Sequence, residues 1–571
     1  MTKLYAALKR PAVLLVCCIF LCTLSGCKYT LKEKIPTGNS VPDTEKYEAQ
    51  MQKAKTSPLA AYPETVTYTI GKMTGANNSN MPEGDTYEDN EYTRYIKKII
   101  NVQNVDAFEA SETGGEYKEM VKMAVKTGNL PDICLVDDIS DVRELAAKGL
   151  ICDLTDAYEN CASDTIKAIY DSYGDVILDN VRIDGKLYAI PETNIEPGPN
   201  MIWLRKDWMD KCGLRAPENL NDVKNIIKTF VTKDPGGNGD GQTVGLALDT
   251  NLTGEVGGGY EYQLDSFFAG YGAYPKHWIL NDSGELTYGS VCPEVKEALA
   301  ELSDWYKEGI IDKNFLIRTT NNITELIKEG KCGAFFGPWW APNNPLMDAV
   351  ALDPSAEWVP YLIPTADDGS VTYMSQKPSG KYVVVRAGYE HPEVVLKVIS
   401  VLFDHGRFED KDVEGLKDYF KKNVDPTARP IAINVDYKDA LTRCYANLSK
   451  AIVGRIEPAE LEMLELSYYE ACESYLNSNS PTPEEWAAYT SRITACGLLK
   501  NTKTYDKQSM FFGETETMSK CWWKLRENEQ KTFLKIITGE TDISSFDDFV
   551  AAWKEEGGDL ITEEVRAEVN R

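Results

Sequence analysis

A single unbroken apolar run, Pro11 to Leu21, opens the chain behind Lys3, Lys9 and Arg10. Positive charge followed by a run too short to span a bilayer reads as an export signal. Residues 28–63 are polar, carry Pro36, Pro42, Pro58 and Pro63, and show no periodic apolar face, which predicts a flexible tether. From residue 65 short apolar runs alternate with amphipathic ones. They predict strands over 65–70, 102–108 and 132–136 and helices over 88–100, 116–126 and 141–147. Further strands are expected over 185–191 and 201–204, separated by a stretch containing Pro197, Gly198 and Pro199 that suits a crossing between lobes. Alternating strands and helices argue for an α/β sheet, with ligands beyond the carboxyl ends of the strands. A second α/β region runs to about Trp358, and beyond residues 382–385 the pattern turns mostly helical.

Charge narrows the partners. The chain has 89 Asp and Glu against 61 Lys and Arg, a formal net charge of −28. Loss of residues 1–26 removes three positive charges and leaves about −31. Such a surface repels phosphate backbones, so no nucleic-acid partner is expected, and it repels anionic headgroups, so membrane attachment requires a lipid. Ten of the 14 cysteines lie beyond Cys27 without any C-x-x-C pair, a scatter that favours buried thiols over disulfides. The three histidines, His277, His391 and His405, are not at metal-ligand spacing, and the sequence holds no H-E-x-x-H, G-x-S-x-G or P-loop pattern. Hydrolase, zinc-protease and nucleotide-driven readings lose their usual support, and weight moves to a binding protein.

Leu24-Ser25-Gly26-Cys27 resembles the lipobox of bacterial lipoproteins, in which the cysteine is lipidated and becomes the first mature residue. Leu130-Pro131-Asp132-Ile133, Ala147-Lys148-Gly149-Leu150 and Asp153-Leu154-Thr155 resemble the first lobe of extracellular solute-binding proteins, and Gly185-Lys186-Leu187-Tyr188-Ala189-Ile190-Pro191 resembles the strand before their first crossover. Gly330-Lys331-Cys332-Gly333-Ala334-Phe335-Phe336-Gly337-Pro338-Trp339-Trp340 is similar to their second-lobe segment, whose tryptophan in maltose-binding members stacks on sugar. Trp522-Trp523, the run 545–549 and Trp553 resemble the long Gram-positive subgroup assigned to oligosaccharide and complex-glycan uptake. The resemblance implies an α/β, type II periplasmic-binding-protein fold, two α/β lobes joined by a hinge with a mostly helical C-terminal part. It implies a monomeric receptor, lipid-anchored on the extracellular face, that hands its ligand to ABC permease subunits. The expected divisions are signal 1–26, anchor and tether 27–63, lobe 1 over 64–195, lobe 2 over 196–358, a return to lobe 1 over 359–410, and helical segments over 411–571 completing the lobes.

Pyranose rings lay a C–H face on aromatic rings while their hydroxyls need donors and acceptors. Trp203, Tyr260, Tyr262, Phe267, Phe268, Tyr271, Tyr274, Trp278, Trp339 and Trp340 supply rings, and Asp137, Asp138, Glu192, Asn194 and Arg205 supply polar groups. Most such rings are core in any α/β domain. Trp339 stands out, because it follows Gly337-Pro338 at a strand end where the chain turns and a ring is easily exposed. One of Asp137 and Asp138 is expected to cap the next helix. Arg205 suits either an acidic sugar or a bridge to a carboxylate. Tyr373 is a candidate for the cleft edge after the second crossing, expected between residues 358 and 373.

Asp234-Pro235-Gly236-Gly237-Asn238-Gly239-Asp240-Gly241-Gln242-Thr243 resembles the EF-hand-like calcium loop of the same subgroup, with Asp234, Asn238, Asp240 and Gln242 at ligand positions. Gly236, Gln242 and Thr243 replace expected acidic ligands, so the loop accounts for at most one weak structural calcium ion, and a metal-free turn fits it equally well. No other cofactor is expected. Against the binder stand a surface glycan-degrading enzyme with a carboxylate pair hidden among the acidic residues, and a peptide receptor.

Overall fold

The computed structural model describes residues 44–75, 80–254, 260–281, 283–410, 413–422 and 424–569. The apolar leader and Cys27 lie outside these residues. The polar stretch expected to act as a tether through residue 63 is instead ordered over its second half. It holds a helix, Thr44–Lys55, followed by a segment fastened to the body. Ala54 is fully buried, Lys397 donates from Nζ to the carbonyls of Ser57, Pro58 and Ala60, and Tyr62 donates to Glu393 at 2.7 Å. A buried ammonium recruiting three carbonyls is a specific clamp that composition alone does not reveal.

The first lobe is built on a five-stranded sheet in the order Val102–Ser111, Val66–Thr74, Ile133–Val136, Tyr382–Val385, Ile190–Pro191. The first three strands are parallel; the returning strand Tyr382–Val385 is antiparallel to both neighbours. Ile133-Cys134-Leu135-Val136 is buried at every position because helices cover both faces, the pattern of a central strand. The expected strand over 185–191 divides into Lys186–Leu187 and Ile190–Pro191, which belong to different sheets.

A four-stranded sheet organises the second lobe, in the order Trp358–Tyr361, Met201–Arg205, Cys332–Gly337, Val244–Leu246. Its core gathers Trp208, Phe230, Phe267, Phe268, Trp278 and Trp305. Trp358–Tyr361 pairs with Met201–Arg205, so the chain is still in this lobe where a return was expected from residue 359. Val371–Met374 pairs in parallel with Thr504–Lys507, and the first-lobe sheet resumes only at Tyr382. The second crossing therefore spans residues 375–381, later than the expected 358–373.

The C-terminal part of the chain feeds both cores. Val413, Leu416, Tyr419, Ile431, Ile433 and Val435 join the first lobe, whereas Phe533, Phe546, Phe549, Trp553, Ile561 and Val565 join the second. The long helix Glu516–Thr538 starts on a Thr515 capping box and stops at Gly539, whose φ of 74° suits glycine at a helix end. Among the described residues no helix is long and apolar enough to cross a membrane, and the ten cysteines are free thiols.

Candidate ligand-binding site

Strand pairing fixes where the two lobes face the crossings. Pro191, the last residue of its strand before the first crossing, pairs with Tyr382, the first residue after the second. Tyr382 also pairs with Val136, so Asp137 emerges at this edge of lobe 1. On the other side Met201, the first strand residue after the crossing, pairs with Gly337, so Trp339 and Trp340 emerge at the matching edge of lobe 2. The carboxyl ends of both central strands thus converge on segments 192–200 and 375–381, where open α/β sheets bind ligands.

The first-lobe wall is polar. Asp138 caps the helix Ile139–Ala147, accepting from the Ser140 N–H at 2.8 Å, while Asp137 is left exposed in an ion pair with Lys118 at 3.1 Å. Lys381 pairs with Glu112 at 2.8 Å. Glu192 is buried beside Lys381, and burial pushes its carboxyl up to about 7 against the opposing pull of the ammonium. Asn194 spends its side-chain N–H on the Lys377 carbonyl at 2.9 Å and its backbone N–H on Pro378, so it ties the two crossings together. Two cavities flank this wall. One of about 610 Å³ runs from Asp137 and Lys381 between the helices Glu116–Thr127 and Ile139–Ala147. The other, about 330 Å³, brings Asn194 and Gln376 of the crossings against Tyr92, Phe403, Arg429 and Asn434. The latter residues belong to no motif read in the sequence; only the topology assembles them.

The second-lobe wall is aromatic. Trp340 is half-buried and Tyr260 is 49% exposed, its carbonyl held by the Asn200 amide at 2.9 Å. Trp339 is not the open platform expected from its position: it is 8% exposed, and the Arg492 guanidinium lies 4.5 Å from its ring centre. Arg492 also stacks on Tyr468 and donates to its hydroxyl at 2.7 Å. A residue 153 positions away in sequence roofs the ring, which no local pattern signals.

Further candidates leave the site. Arg205 is buried and makes a two-pronged bond to Asp207 at 2.7 and 2.8 Å with Asp353 at 3.4 Å, so it bridges carboxylates inside lobe 2 and reaches no cleft. Trp278 is core, sharing the second-lobe cluster with a stacked Trp522 at 6.4 Å. Tyr262, Phe267 and Phe268 are likewise buried. Tyr373 is buried too, and its hydroxyl interacts with Glu196. With Asn200, Asp265, Tyr274 and His277 it lines a cavity of about 20 Å³ at the hinge. Here Asn200 Oδ1, Asp265 Oδ2 and both His277 ring nitrogens have no hydrogen-bond partner among the described residues. Burial pushes Asp265 up to about 6 and His277 down to about 4, shifting each toward its neutral form.

The glycine-rich loop closes on itself. Asp234 accepts from the backbone N–H groups of Asn238 at 3.0 Å and Gly239 at 2.9 Å and from the Thr243 hydroxyl at 2.5 Å. Asn238 turns its amide N–H toward Thr243 and the Gly330 carbonyl, while Asp240 and Gln242 point to solvent. Both Asp234 oxygens are thus used as an internal cap. Gly236 contributes no side-chain oxygen, and no group of three or more acidic, His or Cys side chains among the described residues is arranged for a metal. This donor set does not fit a calcium cage.

Residues 104–382 match the family model of bacterial extracellular solute-binding proteins. The polygalacturonan/rhamnogalacturonan-binding protein YtcQ of Bacillus subtilis is 25% identical over 334 residues, 57% of this chain and 62% of that protein. The fructooligosaccharide ABC transporter substrate-binding protein FusA of Streptococcus pneumoniae is 24% identical over 239 residues, 40% of this chain and 43% of that protein. The chain therefore spans less than two thirds of the length of either relative. An extracellular solute-binding protein from Bifidobacterium longum subsp. infantis superposes with a TM-score of 0.61 at 13% identity, covering 89% of this chain and 98% of that one. The shared fold is the two-lobed, type II periplasmic-binding-protein architecture.

Proposed function

From a chain whose residues 104–382 belong to the bacterial extracellular solute-binding family, we propose a receptor that captures an oligosaccharide between its lobes and delivers it to an ABC permease. The observation that carries this reading is the convergence of two strand ends on the crossings, one wall polar and the other aromatic. Asp137, Lys377 and Lys381 would meet hydroxyl or acid groups, Trp340 and Tyr260 would offer ring faces, and Trp339 would form the floor between them. YtcQ and FusA, by their names a pectic-polymer binder and a fructooligosaccharide binder, support a saccharide over a peptide. The chain would reach the extracellular face through its export signal and stay there through lipid on Cys27. No bond-breaking step is assigned to any residue.

A receptor of this kind gains stability when ligand binds only the folded state. Saturating oligosaccharide should raise the melting temperature by several degrees, and Trp340→Ala and Tyr260→Ala should each reduce that rise while the unliganded melting point stays within about 2 °C of the parent. A panel of glycans that leaves the melting point unmoved, or that is cleaved on incubation, would contradict the proposal.

A further inference from the structure

The half-buried arginines of this acidic chain are mostly matched. Arg205 bonds Asp207, Arg318 bonds Asp312, Arg386 bonds Asp132, and Arg407 bonds Glu462 and Asp436. Arg429 and Arg492 differ. Arg429 gives Nη1 to the Ile433 carbonyl and to Asn434 Oδ1, rests 5.0 Å from the Phe403 ring and 5.9 Å from the Tyr92 ring, and has no carboxylate among the described residues within ion-pair distance. Arg492 is held by the Trp339 and Tyr468 rings and one hydroxyl, with no carboxylate among the described residues within ion-pair distance. Lys377 completes the set. It is half-buried on the second crossing, near Asp137 and Asp138, yet its ammonium bonds to neither, and burial lowers its affinity for a proton.

Their positions are the point. Arg429 lines the 330 Å³ cavity on the first-lobe side, Lys377 lies on the crossing beside Gln376 of that cavity, and Arg492 covers Trp339 at the second-lobe edge. Several acidic groups on the same walls are already engaged: Asp137 by Lys118, Glu112 by Lys381, Asp436 by Arg407, and Asp138 by the Ser140 N–H. Glu192, next to them, is pushed toward its neutral form. In a protein of charge −28, these three partly desolvated cations make no direct ion pair among the described residues. Half-burying a charge is costly unless a partner arrives, and bound carboxylate repays that cost with charge-assisted hydrogen bonds.

Resting on the oligosaccharide reading, we propose that the ligand is anionic: a uronic-acid-containing oligosaccharide whose carboxylates are bound by Lys377, Arg429 and Arg492. The surface charge opposes polyanions at long range, and these cations override it locally, where screening by water is weakest.

The test compares uronic-acid oligosaccharides of several linkages with the same oligosaccharides after carboxyl reduction, which keeps linkage and stacking faces but removes charge. Titration calorimetry should show at least one acidic member binding tenfold or more tighter than its reduced form, with affinity falling between 50 and 500 mM salt. Lys377→Met, Arg429→Gln and Arg492→Gln should each weaken that acidic ligand about tenfold and narrow its advantage over the reduced form; circular dichroism melts identify any variant that fails to fold. Equal or tighter binding of the reduced forms overturns the anionic assignment while leaving the oligosaccharide receptor standing, as does an acidic preference that none of the folded variants alters. Failure of every acidic and reduced member to bind overturns both.

Discussion

Glu192 shows how much a single buried carboxyl says at the residue scale. Burial raises its folded-state value to about 7 from an ordinary 4.5, so the folded protein keeps a proton that the unfolded chain releases. Stability is therefore lost as pH rises from about 4.5 to about 7 and is level above. Glu192→Gln, which mimics the protonated acid, should match the parent near pH 5 and exceed it at pH 8 by up to roughly 3 kcal/mol in urea unfolding. A difference that does not change with pH would refute this. Arg205 makes the complementary case. Removing it strands the Asp207 carboxylate in a largely buried pair, so Arg205→Ala should cost about 3 kcal/mol of stability and leave ligand affinity of the folded protein unchanged, because its contacts are internal to lobe 2.

Among elements, those with strong periodicity were the most legible. The buried run Ile133-Cys134-Leu135-Val136 and the amphipathic helix Glu91–Ile100 are dictated by local pattern, and so is the placing of Asp137 at a strand end. What local pattern could not supply was long-range occupation. Trp339 follows its strand as expected, but its ring is roofed by Arg492 from a helix far along the chain, and Trp278 loses its exposure to Trp522. The second crossing was misplaced because Trp358–Tyr361, an edge strand, has the same apolar alternation whichever lobe it joins. In the loop 234–243 the Asp234 carboxylate accepts two backbone N–H groups and the Thr243 hydroxyl, so the turn can be held without an ion. Chelation by EDTA should accordingly leave the melting point within about 1 °C, whereas Asp234→Ala, which frees two N–H groups, should lower stability by about 1–2 kcal/mol. A large drop with EDTA alone would restore the metal.

For the whole molecule, the C-terminal helices make the two lobes structurally complete while the crossings at 192–200 and 375–381 remain the links between their sheets. Two packed bodies joined by extended segments close by hinge motion when a ligand bridges them. Charge at this edge agrees: Lys377, Arg429 and Arg492 make no ion pair among the described residues, and an anionic sugar would supply their partners. The proposed receptor would hold its ligand intact, whereas an enzyme would release product. The most direct test incubates the protein with uronic-acid oligosaccharides, separates the complex by gel filtration, and releases the bound glycan by denaturation for mass spectrometry. About one intact glycan per chain is expected, unchanged in length after prolonged incubation. Shortened or unsaturated products, or protein that elutes without glycan, would contradict it.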